Sequence, residues 1–444
     1  MLLRFSVENF LSFYDKQEIS FDHDFNKANI FKNNTIFEYK QNNKKRSVLN
    51  GAIIYGSNAS GKSNLSQALH CLKDMYLNSL NFNKKTDRVS IFKKFEFLPS
   101  NINPITFEIE FLVSVEDEYY KVFYTFSINS SENNIETESL SYCKLLKTTT
   151  SNSIVLFNRT KNNIDCSSEQ IKQIIHKVKQ ENIKYKLVLS LLNFDINESF
   201  FKNEIASLSY QIIQACGTSI EKNLVFTSYS DGSSLNEFYE GINKNPHFKE
   251  YILSNLYKFD FALSDFEIQD ITDEIIDTML NRNVIENVDR NTLYKHFKQY
   301  RVKTIHNINN QQFKLSINAE SSGTKKFLMN SLNLFECLFM NKVFVSDEFD
   351  SHYHIYLQEG IIKTLIYPEI NESKTQFLII THNPLLLTPN YFAKEQVYFV
   401  EKERFTEMSK IDSLKNFENV TYNNHNWSSL YLDGRLGAVP EVFI

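Results

Sequence analysis

Glycine and proline are scarce in this chain of 444 residues, at 10 and 7, so left-handed turns and rigid bends must be concentrated in few places. Glycines that do cluster therefore carry information. Cysteine is sparse too, with five residues at 71, 143, 166, 216 and 337 and no C-x-x-C spacing. That excludes a zinc site of the usual cysteine pattern, and the odd count argues against a disulfide framework. Reduced structural thiols in a cytoplasmic protein are expected. Long apolar runs are missing: the longest, such as 187–192, fall far short of the roughly 18 residues a membrane-crossing helix needs. The opening Met1-Leu2-Leu3-Arg4-Phe5-Ser6-Val7-Glu8 has no basic segment followed by an apolar one, so no signal peptide is expected. A net charge of −5 removes any global electrostatic pull towards nucleic acid. The apolar fraction of 42% is enough for a real core and excludes global disorder.

Residues 3–13 alternate apolar and polar and read as a strand. Residues 48–55 read as one buried strand ending at a glycine loop, and 63–80 as a helix. Residues 105–111 and 119–128 alternate with period two around Glu116-Asp117-Glu118, the pattern of an antiparallel hairpin. Residues 153–157 and 224–230 suggest further strands. From 167 to 300 the pattern is mostly helical, with charged helical stretches at 168–186 and 289–303 and no lasting heptad repeat. Strand signals return at 313–317, 342–345 and 376–380, with helices between. Strands alternating with helices imply a parallel α/β core. The expected organisation is one head made from 1–166 and 301–444, with a mostly helical insertion at 167–300.

The most specific motif is Gly56-Ser57-Asn58-Ala59-Ser60-Gly61-Lys62-Ser63, which matches GxxxxGK[ST], follows an apolar strand and precedes a helix. In that arrangement backbone N–H groups of the loop and helix start surround phosphate. Lys62 neutralises the β- and γ-phosphates and Ser63 ligates Mg2+. Val343-Phe344-Val345-Ser346-Asp347-Glu348 is an apolar strand ending in two carboxylates. Read with the P-loop, Asp347 is the second metal-site residue and Glu348 the general base for an attacking water. Standing alone, the same pair is only a strand end with solvated acids. Phe377-Leu378-Ile379-Ile380-Thr381-His382 delivers His382 to the edge of the sheet where ligands bind, placed to donate to a γ-phosphate. Glu320-Ser321-Ser322-Gly323-Thr324-Lys325-Lys326 opens a helix. By itself an ordinary N-cap explains it, and a second anion site is the alternative.

Taken in this order the motifs resemble an ABC-type ATPase head: an α/β P-loop core with an antiparallel β subdomain and a helical insertion. The P-loop through Asn64 resembles Walker A, Glu320–Thr324 a degenerate signature motif, Asp347-Glu348 Walker B, Phe349-Asp350-Ser351 the D-loop and His382 the switch histidine. The resemblance implies an ATP-sandwich homodimer in which Ser321, Ser322 and Gly323 of one head complete the ATP site of the other. Arg4-Phe5-Ser6-Val7-Glu8-Asn9-Phe10-Leu11-Ser12-Phe13 is similar to the first strand of RecF- and SMC-like heads. With the closing Tyr431-Leu432-Asp433-Gly434-Arg435-Leu436-Gly437-Ala438-Val439-Pro440, it resembles the ATP-binding proteins of the RloA and abortive-infection group, related to OLD nucleases. That group implies prokaryotic anti-phage defence and a separately encoded effector, a nuclease or a toxin.

Two other readings stand beside this one: a DNA-repair ATPase of the RecF or SMC kind, and the nucleotide subunit of a transporter. The long stretch between Lys62 and Ser321 argues against the transporter. The acidic balance and the lack of a long coiled coil give no help to the DNA reading. The stretch after His382 is too short for an added nuclease domain of the TOPRIM kind. Asp270, Asp273, Glu274 and Asp277 fall at helical spacing and read as a solvated helix face rather than a metal site.

Overall fold

The structure is a computed structural model. It describes residues 1–22, 35–41, 44–82, 93–98, 100–129, 131–132, 134–145, 150–167, 169–177, 183–194, 204–227, 233–259, 261, 263–281, 289–418, 420–421 and 426–439. These residues pack as two compact units. The first comprises Met1–Phe226, Met340–Phe349 and Ile362–Ile444, and the second Thr227–Phe339 and Asp350–Ile361.

The first unit is built on a six-stranded sheet in the order Leu224–Thr227, Val343–Ser346, Gln376–Ile380, Gly51–Gly56, Val397–Lys402, Ser409–Ser413. The pairs joining the four strands from Val343–Ser346 to Val397–Lys402 are parallel, and Ser409–Ser413 is antiparallel to Val397–Lys402. Every residue of Gly51–Gly56, Val343–Ser346 and Gln376–Ile380 is buried, as expected of continuous apolar runs in a parallel sheet covered on both faces. The strand expected over 48–55 divides at Asn50. Lys44–Leu49 pairs antiparallel with Ile36–Gln41, and Gly51–Gly56 enters the parallel sheet. Just past the break, a Cβ on Gly51 would lie 2.3 Å from the ring of Phe377 on the paired strand, so glycine there lets the two strands approach closely.

A seven-stranded antiparallel sheet runs in the order Asn163–Cys166, Ile154–Thr160, Ile135–Lys144, Glu118–Ile128, Ile105–Val115, Leu2–Glu8, Gln17–Ser20. The expected hairpin is present, with Glu116 and Asp117 both left-handed at φ 50° and 61°, the geometry of a two-residue type I′ turn. The first strand stops at Glu8, short of residue 13, because Asn9 and Leu11 take φ 54° and 52° and fold Phe10 back onto Phe13. Gln376, buried at the start of its strand, welds the two sheets. Its amide accepts from Leu2 N at 2.6 Å and donates to Leu2 O and Leu49 O at 3.0 and 3.1 Å.

One core takes in Ile54, Val345 and Leu378 from the parallel sheet, Phe5, Phe107 and Phe126 from the antiparallel sheet, and Leu65, Leu69 and Leu72 from the helix Lys62–Asn78. The helices Val188–Phe194 and Glu204–Thr218 bury Leu189, Leu192, Ile212 and Ile213 in the same core. The range 167–226, which the sequence groups with the insertion, therefore packs within the first unit. The tie is a buried ion pair. Glu138 accepts from Val188 N, Leu189 N and the Tyr124 hydroxyl at 2.8, 2.9 and 3.0 Å, with Arg159 at 3.7 Å. Burial raises the Glu138 carboxyl above its ordinary range, against the pull of Arg159. All five cysteines are free thiols, and burial pushes Cys71 up to about 12.

The second unit holds a three-stranded antiparallel sheet, Asp265–Asp270, Tyr300–Ile308 and Gln311–Ser316, with flanking helices that include Ser233–Lys244, Pro246–Lys258, Thr272–Asn281 and Ser322–Met340. The charged helix expected over 289–303 is only Arg290–His296; Tyr300 begins a strand. There Val302 and Thr304 are buried two residues apart, so period two overrides the charge pattern. Asp273 and Asp277 pair with Arg290 at 2.8 and 2.9 Å, Glu274 pairs with Arg301 at 2.9 Å, and Asp270 accepts from Thr272 N. No helix among the described residues is long and apolar enough to cross a membrane.

Breaking the buried pair should be costly. Arg159→Met, which strands Glu138 without its cation, is expected to destabilise the first unit by about 3–5 kcal/mol, read as a fall in the urea midpoint. A midpoint within error of the parent would refute this role for the pair.

Candidate nucleotide site

The strand Gly51–Gly56 runs out of the sheet centre into the loop 57–61, and the helix Lys62–Asn78 begins at once. Its N-cap is Gly61, at φ 104° and ψ 9°. A Cβ there would lie 2.5 Å from Ser12 Oγ and 2.6 Å from Ser409 Oγ, so conformation and space both require glycine. A Cβ on Gly56 would lie 2.4 Å from the Val400 carbonyl oxygen. The loop thus passes tightly between its neighbours and presents a helix N-terminus, the arrangement that favours an anion. Lys62 is buried, and its ammonium lies across the loop, donating to Gly56 O at 2.9 Å and Ser57 O at 2.6 Å. Asn58 and Ala59 are exposed at the loop tip, and Ala59 is left-handed at φ 60°.

Asp347 follows the strand Val343–Ser346, two strands from the P-loop strand in the sheet. Its carboxylate accepts from Ser63 Oγ at 3.2 Å, from Ser66 Oγ at 3.0 Å and from Glu348 N at 2.9 Å. The two residues read from the sequence as the Mg2+ pair, Ser63 and Asp347, are therefore in direct contact. Their oxygens are hard donors of the kind Mg2+ takes. Ser66 had no motif to announce it, though it stands three residues after Ser63 on the same helix face. Glu348 is exposed, with φ 46°, and Phe349 N donates to Ile380 O at 3.0 Å just behind it. A glutamate in the left-handed region is held there by its surroundings.

His382 is exposed just past the strand Gln376–Ile380, the parallel neighbour of the P-loop strand. Thr381 N donates to Ile54 O at 3.1 Å, so His382 leaves the sheet at the same edge as the loop. Asn383 caps the turn Pro384–Leu386, accepting from Leu385 N at 3.0 Å, and stiffens the backbone that carries the imidazole.

Ser321, Ser322 and Gly323 belong to the second unit. Ser321 Oγ accepts from Thr324 N at 3.1 Å, the N-cap that their sequence alone suggested. A Cβ on Gly323 would lie 2.6 Å from the His352 carbonyl oxygen. Lys326 donates to Ser351 O at 2.8 Å, joining this helix start to the segment that resembles a D-loop.

Further residues, to which the sequence assigned no individual role, reach the P-loop. Ser12 accepts from Asn64 Nδ2 at 2.6 Å, and Ser409 donates to Ser60 O at 2.6 Å. The closing segment is docked on the first unit. The ring of Tyr431 stacks on Phe399 at 5.5 Å, and its hydroxyl contacts the backbone of Gly56.

A family model described as "AAA domain, putative AbiEii toxin, Type IV TA system" matches residues 52–388, a span that takes in the P-loop, Asp347 and His382. Among solved structures, the SMC head domain from Thermotoga maritima is similar at 13% identity, covering 93% of this chain and 98% of that chain, with a TM-score of 0.38. No curated protein matches.

Gly61→Ala puts a side chain into a left-handed position with two serine oxygens in its place. It is expected to cost about 1–3 kcal/mol, seen as a lower thermal midpoint. An unchanged midpoint would mean that the loop is not constrained at Gly61.

Proposed function

The chain belongs to the AbiEii-associated AAA-domain family, and on that premise we propose that it binds Mg-ATP, hydrolyses it and pairs with a second copy around nucleotide. In this reading the paired heads control a separately encoded nuclease or toxin in prokaryotic anti-phage defence. The observation that carries the nucleotide part is the contact of Ser63 and Asp347 at the mouth of a loop built on a wholly buried strand. The loop from Gly56 to Ser63 receives the phosphates through its N–H groups, and Lys62 turns its ammonium from the loop carbonyls to the β- and γ-phosphates. Ser63 and Asp347 hold Mg2+, which neutralises charge on the phosphate oxygens. Glu348 takes the proton of the attacking water, and His382 donates to the γ-phosphate.

Pairing rests on Ser321, Ser322 and Gly323. Ser322 is exposed at the first position of its helix, where a γ-phosphate from a second head finds a helix N-terminus. Gly323 is a poor probe of this, because a side chain there strikes the His352 carbonyl of its own unit. The acids of the second unit are compatible with a separate effector. Asp273, Glu274 and Asp277 are committed to arginines at surface positions, which leaves them a stabilising rather than a catalytic role.

Fluorescent-nucleotide binding and phosphate release test the reading. Lys62→Ala is expected to abolish binding, since a phosphate charge loses its partner. Glu348→Gln should bind normally and lose turnover by about 10²–10⁴-fold, because only the base is removed. Normal turnover in Glu348→Gln would remove that residue from the mechanism. Ser322→Arg should keep single-head binding and lose ATP-dependent pairing, measured by light scattering; intact pairing would refute the composite site. The pure chain with Mg2+ or Mn2+ and ATP is expected to leave DNA and RNA uncut. Cleavage by Glu348→Gln that is lost in Asp270→Ala/Asp273→Ala would place an effector within the chain itself.

A further inference from the structure

The P-loop holds a conformation that is unfavourable on its own terms. Ala59 is left-handed at φ 60°, a region that costs a residue with a Cβ about 1 kcal/mol or more. Ser60 is 1% exposed, and its hydroxyl has no hydrogen-bond partner among the described residues. An unsatisfied buried hydroxyl is a further cost. Something outside the loop must therefore hold it.

The hydrogen bonds behind the loop identify the holder. Ser409 Oγ lies 2.6 Å from Ser60 O and 2.7 Å from Ser12 Oγ and is the donor in both contacts, so its one proton serves the two acceptors. Ser12 Oγ also accepts from Asn64 Nδ2 at 2.6 Å. The result is one connected chain of side chains, Asn64 to Ser12 to Ser409, that ends on Ser60 O. A main-chain bond, Ser409 N to Ser12 O at 2.8 Å, locks the two serines together. Ser12 and Ser409 are 8% and 1% exposed, so water does not compete for these groups. They also fill the space that makes Gly61 obligatory.

We propose that Ser12 and Ser409 are positioning residues for the nucleotide site, acting as one hydrogen-bonded chain that holds Ser60 and Gly61 in the phosphate-ready form. The chain begins on the helix that carries Lys62 and Ser63 and ends on the loop before it, so it fixes the two halves of the phosphate cradle relative to each other. It does not touch the reacting atoms. Its loss should therefore weaken capture of nucleotide more than it slows the chemical step. The inference rests on the proposed nucleotide reading for its functional consequence, while the bracing itself is measurable without nucleotide.

The experiment compares the full chain with Ser409→Ala, Ser12→Ala and the double variant. Hydrogen exchange of the amides of 57–61, measured without nucleotide, is expected to quicken about tenfold in Ser409→Ala. Kd and KM for Mg-ATP are expected to rise about tenfold as well, with kcat falling less than twofold. The double variant should lose no more than Ser409→Ala alone, because without that hydroxyl the chain has no end on the loop. Unchanged exchange in folded Ser409→Ala, or losses that simply add in the double variant, would overturn the proposal. If Ser409→Ala does not fold, Ser12→Ala decides: it should show a smaller rise in exchange and KM, and parental values would overturn the chain. If the parent chain binds no Mg-ATP, the nucleotide reading fails, and the exchange measurement still decides the bracing.

Discussion

The carboxylate of Asp347 has to be where the first turn of the helix Lys62–Asn78 can reach it, and most of the first unit is arranged by that requirement. One oxygen accepts from Ser63 and the other from Ser66, so the carboxylate spans nearly a full turn of helix. The parallel registers Val345 with Leu378 and Ile379 with Ile53 set the strand ends that make this contact possible. A slip of one residue in either pair would invert every side chain and carry the apolar set of a wholly buried strand out of register. The packing that excludes water from the sheet is thus also what aligns the Asp347 carboxylate with the start of the helix Lys62–Asn78.

The antiparallel sheet contributes by the same logic at longer range. Gln376 satisfies three main-chain groups where the two sheets meet, groups that would otherwise be buried without partners. Glu138 does the corresponding work on the other side, closing the start of the helix Val188–Phe194 with a charge compensated by Arg159. Both are buried polar side chains that satisfy backbone groups of distant elements. Neither belongs to a recognisable motif.

That contrast explains what was legible in the sequence. The placement of Lys62, Ser63, Asp347, Glu348 and His382 just past the ends of parallel strands could be read because each closely follows a short apolar run, and such patterns are local. The hairpin turn at Glu116 and Asp117 could be read because the period on either side is two. The division at Asn50 could not, since one polar residue inside an otherwise apolar run does not say that the two sides of it join different sheets. Residues 167–226 looked like an insertion because helices carry no label for the core they join; Leu189 and Ile212 decide it by where they are buried. Val302 and Thr304 lay under a charge pattern that suggested helix. Ser12, Ser66 and Ser409 are serines among many, and their roles depend on contacts between remote positions.

The order of the strands has a consequence for how the protein is made. Gly51–Gly56 leaves the ribosome well before its two neighbours in the sheet, Gln376–Ile380 and Val397–Lys402, and before Ser409, the serine behind its loop. Until those segments have emerged, the strand Gly51–Gly56 has neither edge covered and must wait, exposed to solvent or sheltered by a chaperone. A chain interrupted during translation therefore carries the phosphate motif without the scaffold that shapes it. The loop and the strands that flank it therefore take their final shape together, and only after the segment carrying Ser409 has been made.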